Sequence, residues 1–199
     1  MILDHRLDTL AKKGDIMPSI NNRLQCIKGF KVGTITNVAL EILLRFMDLP
    51  DKSYRLGKKG GFLALAVENR ATGRSHFPLV VEIGFCPDDL LRKAQKEAQE
   101  KCRRLDRTKE KTSHISSWQS RNHQQGKYGG GIVTEEGTTV GFAGLSEPQN
   151  EAITVVLCLA LGWIGPEYAA DIKAISQNVF TDHLINTCVD IIETDWSKK

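Results

Sequence analysis

The segment Phe62-Leu63-Ala64-Leu65-Ala66-Val67-Glu68 is apolar and is entered through Lys58-Lys59-Gly60-Gly61. A short apolar run bounded by glycines reads as a strand. Phe77-Pro78-Leu79-Val80-Val81-Glu82-Ile83-Gly84 is a second such run, and the polar stretch Asn69-Arg70-Ala71-Thr72-Gly73-Arg74 between them holds a turn glycine. The two runs predict a β-hairpin. Cys86-Pro87-Asp88-Asp89 then opens a helix, whose positive N-terminal end favours Asp88 or Asp89. Leu91, Ala94, Ala98, Cys102 and Leu105 follow at spacings of 3, 4, 4 and 3, one apolar stripe on a charged helix.

Upstream, Val38, Ile42, Leu43 and Phe46 recur at helical spacing and predict a helix over 36–47, with Thr36 as its cap and Pro50 as its stop. Downstream, 112–127 is polar and unpatterned, which marks a functional or poorly ordered loop. Tyr128-Gly129-Gly130-Gly131 leads into a short strand at Ile132-Val133-Thr134, a turn at Glu135-Glu136-Gly137 and a second strand over 138–145. Ser146 caps the next helix, with Pro148 in its first turn. That helix is apolar all round from Ala152 and reads as buried, to about Trp163. Gly165-Pro166 breaks it, and 167–193 is helical, as one helix or as two parted near Phe180-Thr181.

Hairpins joined by helices predict an α+β fold, an antiparallel sheet of four to six strands with helices packed on it. Single strands do not alternate with helices, so the order is not that of a dinucleotide-binding fold. The expected organisation is an N-terminal extension over 1–35, a core domain over 36–164 and a C-terminal helical extension over 165–199.

The 199 residues suffice for a real hydrophobic core, and 41% hydrophobic with 26% charged residues excludes a disordered tail or a fibre. The net charge of +3 is too small to indicate nucleic acid. Nine Lys or Arg and four Asp or Glu lie between Arg92 and Lys111, a solvated basic face on which Glu97 and Lys101 can pair at i, i+4. With one Trp nearby and no aromatic platform, a nucleic-acid partner is not expected. Cys26, Cys86, Cys102, Cys158 and Cys188 are odd in number and form no CxxC pair, so reduced thiols in a cytoplasmic protein are expected. Cys86, between strand and helix, is either reactive or a small buried residue. Met1-Ile2-Leu3-Asp4-His5-Arg6 contains no apolar h-region, so no secretory leader is expected. The apolar run 152–164 is shorter than the roughly 20 residues of a membrane span.

Gly130-Gly131-Ile132-Val133, Gly137, Val140-Gly141-Phe142-Ala143-Gly144-Leu145-Ser146, Gln149 and Glu151-Ala152, with Lys93-Ala94 on the helix after the hairpin, resemble the GlcG/HbpS-like haem-binding family. The likeness covers roughly 36–164 by element order. It departs from the family pattern at Val133, often Pro there, and at Glu147, usually Gly. The resemblance implies a profilin-like fold, a homo-oligomer, and haem or another small molecule as ligand.

Candidate ligand contacts cluster in and beside the polar loop. His114, His123 and Tyr128 are residue types that ligate haem iron, and Trp118 with Ile115 would supply part of an apolar wall. Gly130 and Gly131 would let backbone approach a ligand, or serve an unusual turn. Ser113, Ser116, Ser117 and Ser120 beside His114 suggest a hydrolase, which would need partners from elsewhere, such as Glu82 or Glu151, and no GxSxG elbow is present. His76 reads as a turn or strand-edge residue. The leading expectation is a small-ligand-binding protein, with haem as one candidate. The alternatives are an assembly protein that docks partners through its sheet edge and terminal helices, and a small hydrolase using 112–131.

Overall fold

The computed structural model describes residues 30–48, 59–69, 72 and 74–198. Pro50, Lys58, Cys26, the first 29 residues and most of the hairpin turn lie outside them. The described residues form α1 (Val32–Asp48), β1 (Lys59–Asn69), β2 (Arg74–Phe85), α2 (Asp88–Thr112), β3 (Gly131–Val133), β4 (Thr139–Ala143), α3 (Glu147–Ala160), α4 (Pro166–Ser176), α5 (Val179–Thr187) and α6 (Val189–Ile192). Short 3₁₀ turns occupy Ser117–Ser120, His123–Gln125 and Trp196–Lys198. The fold is α+β, with one four-stranded antiparallel sheet in the order β2-β1-β4-β3.

β1 is apolar at every position from Phe62 to Ala66 because both of its faces are covered. Leu63 and Leu65 join Leu79, Ile83, Ile132, Val140 and Phe142 in a core closed by α1 and α3. Phe62, Ala64 and Ala66 point the other way, with Ala143, onto Ala94, Ala98 and Cys102 of α2. That second layer is thin because its residues are small. A Cβ on Gly141 would lie 2.8 Å from the Ala98 carbonyl and 3.1 Å from Cys102 Sγ, and one on Gly131 would lie 3.0 Å from Lys101 Cβ. Helix and sheet backbones nearly touch there.

β2 carries one extra residue where β1 steps from Leu65 to Val67 and β2 from Leu79 to His76. Pro78 lies in this bulge, on an edge strand, where its missing N–H disrupts nothing.

α3 is the interior helix the sequence predicts, capped as expected by a Ser146–Gln149 capping box. Two expectations need correction. Thr36 is not a cap: α1 begins at Val32, and the Thr36 hydroxyl donates to the Val32 and Gly33 carbonyls inside the first turns. The C-terminal region is three helices and not one or two: it parts at Gln177–Asn178, a few residues before Phe180-Thr181, and again at Cys188. Gln177 adopts the left-handed conformation and the Asn178 side chain accepts from Phe180 N, so a residue that favours caps sets the boundary. Ala169, Ile172, Leu184, Cys188 and Ile191 of this region share one core with α1 and α3. No helix among the described residues is long and apolar enough to cross a membrane.

Because Gly141 lies under the Ala98 backbone, Gly141→Ala is expected to lower stability by about 1–3 kcal/mol in urea titrations. The open Gly137→Ala site, where nothing crowds an added Cβ, reports the cost of positive φ alone. A smaller loss at Gly141 than at Gly137 would show that α2 does not press on the sheet as described.

Candidate functional site

The polar loop 113–130 is packed in place, and the agent is a buried arginine. Arg104 of α2 donates to the carbonyls of Ser117 (3.3 Å), Ser120 (2.7 Å) and Tyr128 (2.6 Å), and its Nε lies 3.1 Å from Glu100. A planar guanidinium can hold several carbonyls at fixed angles, which suits it to this task. Burial lowers the Arg104 pKa, and Glu100 then raises it.

The loop hydroxyls are spent on structure. Ser116 Oγ donates to buried Glu151 at 2.6 Å and accepts from Trp118 N. Ser117 Oγ accepts from Gly131 N at 2.9 Å. Asn178 Nδ2 also donates to Glu151, at 3.2 Å. Burial pushes the Glu151 carboxyl pKa up, and the Ser116 bond opposes that.

The residues expected to form one site part into two groups. His123, Tyr128, Trp118, Gly130 and Gly131 lie toward the N-terminus of α3. His123 Nε2 is 2.6 Å from Glu147 Oε1, whose Oε2 accepts from Gly129 N at 2.7 Å. The His123 and Tyr128 rings are 5.7 Å apart, and Arg121 sits 4.4 Å from the Trp118 ring centre. The glycines are close-packed by protein. Gly130, at φ +106°, has Asn150 Cβ, Lys101 Nζ and the Phe142 carbonyl where its own Cβ would be, and the Trp118 ring covers Gly129. Their small size serves packing and, at Gly130, a left-handed turn.

Lys101 is the second buried cation. Its expected i, i+4 pair with Glu97 does not form. Lys101 falls on the same helical face as Ala98, Cys102 and Leu105, so it turns inward and is 1% exposed. Nζ donates to the Phe142 carbonyl at 2.7 Å, at the end of the β3–β4 ladder, while Glu97 sits 3.9 Å from Lys93. Burial lowers the Lys101 pKa to about 8, with Glu97 and Glu147 opposing.

His114 stands apart. α2 ends at Ser113 in the left-handed conformation (φ 54°), which directs the chain to His114. His114 borders a cleft of about 480 Å³ that is also lined by Val67 and Glu68 of β1, Lys109 of α2, Val133 to Gly137, and Tyr168 of α4. Neither nitrogen of the imidazole has a hydrogen-bond partner among the described residues, and Nδ1 is buried. Lys109 reaches Asp106 (3.1 Å), Glu68 (3.5 Å) and the Gly137 carbonyl (2.9 Å). Glu135 Oε1 accepts from Gly165 N at 3.0 Å. Burial, then Glu135 and Asp171, push the Tyr168 hydroxyl pKa up.

Among the described residues no three His, Cys, Asp or Glu side chains are grouped to hold a metal ion. Cys102, Cys158 and Cys188 are free and buried, and Cys86 is buried. Burial pushes the Cys102 thiol pKa up to about 12, which makes it inert as a nucleophile. His76 lies in β2 opposite Val67, and Glu82 accepts from Cys86 N at 3.0 Å.

The sequence reading missed Glu68, Lys109, Glu135 and Tyr168, which come from four elements and share no local pattern. For Lys101 a signal existed, since it completes the apolar stripe. The chain matches no family model, no curated protein and no solved structure.

Lys101 predicts a pH dependence. Its pKa in the folded chain, about 8, lies below the 10.5 of an ordinary lysine, so between these values the unfolded chain holds the extra proton. Stability therefore rises with pH across that window, by roughly 3 kcal/mol from this residue. Urea titrations at pH 7.5 and 10.5 are expected to show that rise in the parent relative to Lys101→Met. Equal pH slopes in the two proteins would contradict the buried charge.

Proposed function

We propose that this protein binds a small molecule in the cleft beside His114. The observation that carries the reading is an imidazole with both nitrogens unpartnered on the wall of a 480 Å³ cleft. A volume of that order suits a small organic ligand, and apolar walls with a few polar groups are the usual lining of such sites. Val67, Ile115 and Val133 supply the apolar part. The order helix, hairpin, helix, hairpin, helix supports a profilin-like reading of the fold. Three buried free thiols, Cys102, Cys158 and Cys188, agree with a reducing, cytoplasmic setting.

Haem fits these residues poorly. His114 has the donor nitrogen that an iron would need, but propionates need cations. The cleft offers Lys109, already held by Asp106, Glu68 and the Gly137 carbonyl, among three glutamates. At the other group, iron would compete with the 2.6 Å contact between His123 and Glu147. A hydrolase is not favoured either. Ser116 and Ser117 are buried and engaged, and among the described residues no carboxylate orients His114 Nδ1 beside Ser113.

A second reading, self-assembly into a homo-oligomer, rests on β2. It is one of the two edges of the sheet among the described residues, and Phe85 at its end and Leu44 on α1 are each more than half exposed.

The test is a fragment survey by ligand-observed NMR with His114→Ala as control. Binders lost in the variant, with its melting temperature unchanged, are the expected result. Haemin titration is expected to give no saturable Soret band. A saturable band lost in His114→Ala would instead make haem the ligand. An absence of fragment binders, together with stability that rises with protein concentration, would replace ligand binding by assembly.

A further inference from the structure

We infer that the cleft selects an organic cation, a protonated amine carried on a flat apolar body. The inference rests on the reading of the cleft as the ligand site, and it goes further by naming the ligand's chemistry.

Charge balance decides the sign. Among the described residues that line the cleft, Glu68 and Glu135 face the single cation Lys109. Lys109 already faces acids of the protein: its ammonium donates to Asp106 Oδ1 and the Gly137 carbonyl and lies 3.5 Å from Glu68 Oε2. Asp106 is 5% exposed and adds a further negative charge behind the wall. The potential in the cleft is therefore negative, and low-dielectric walls focus it. The Tyr168 hydroxyl senses the same field from Glu135 and Asp171.

The positions of acceptors decide the group. Glu135 is anchored through Oε1 to Gly165 N, which leaves Oε2 without a partner among the described residues. A neutral His114 imidazole offers a second acceptor and cannot be satisfied by the protein as it stands. An ammonium brings two or three donors on one atom and can reach both. Among the described lining residues an anion would find no ammonium or guanidinium other than Lys109, which is already engaged with Asp106, Glu68 and the Gly137 carbonyl.

The remaining lining decides the body. Val67, Ile115, Val133 and the Tyr168 ring form the apolar surface, and an aromatic face also attracts cations. A flat apolar body against these side chains, with its amine toward Glu135 and His114, would give donors to Glu135 Oε2 and to the acceptor nitrogen of His114.

The experiment compares tryptamine with indole-3-propionate, which share a ring and differ in charge, on the full chain by saturation-transfer NMR. Tryptamine is expected to bind saturably and indole-3-propionate not to. Glu135→Gln keeps an acceptor for Gly165 N and removes the charge, so it is expected to weaken tryptamine by about tenfold. His114→Ala is expected to weaken it as well, and added salt to lower the affinity. Preference for indole-3-propionate, lost in His114→Ala, would overturn the charge assignment and leave the cleft as the ligand site. Tryptamine binding untouched by either variant would place it elsewhere and overturn the inference. Binding of neither compound would overturn it too, and the fragment survey would then judge the cleft reading on its own.

Discussion

The close approach of α2 to the sheet is the constraint on which the rest of the molecule depends. Ala94, Ala98 and Cys102 bring the helix backbone onto Gly131 and Gly141, where no larger side chain fits. Dispersion across so short a gap is dense, and a single methyl group has nowhere to go. The same approach carries two cations inside. Lys101 reaches the Phe142 carbonyl and Arg104 gathers three carbonyls of the loop. The helix thus supplies the rigidity that a largely polar loop of eighteen residues could not supply for itself. Cation-to-carbonyl bonds are stronger than neutral ones, and their loss would leave buried charge unpaired.

This architecture spends nearly every polar group around the loop on internal bonding. Ser116, Ser117, Gln119 and Glu151 satisfy one another or nearby backbone. Against that background His114 is conspicuous, since buried polar atoms are seldom left unpaired. The functional reading depends on that contrast: a loop rich in serine and histidine looks reactive in one dimension, but its folded form is mostly a self-satisfied knot with one open imidazole. The charge of the lining points to the ligand's charge by the same logic, because Lys109 is engaged by Asp106, Glu68 and the Gly137 carbonyl while Glu135 is held through one oxygen.

Much of the fold was legible in particular residues. The apolar runs at Phe62 and Phe77, the stripe from Leu91 to Leu105, and Ser146 with Gln149 each report local constraints, and the corresponding elements appear where expected. Thr36 misled because a hydroxyl near a helix start can bond backward into the helix as readily as cap it. Lys101 misled because charge was weighed above its place on the stripe. Of the candidate site, Ser113, His114 and Ile115 were legible, as neighbours in one loop. His123, Tyr128, Trp118, Gly130 and Gly131 are near it in sequence and belong to a different packing neighbourhood, at the start of α3.

Periodicity, turn chemistry and composition, which act over a few residues, by themselves determined that the chain is α+β, that hairpins alternate with helices and that α3 is interior. Tertiary structure alone decided which polar atoms find partners. Glu68, Lys109, Glu135 and Tyr168 lie up to 100 residues apart in the chain, and only the antiparallel register and the packing of α4 bring them around one imidazole. Hydrogen-bond satisfaction is a property of three-dimensional neighbours, so the cleft and its charge had no local signature to read.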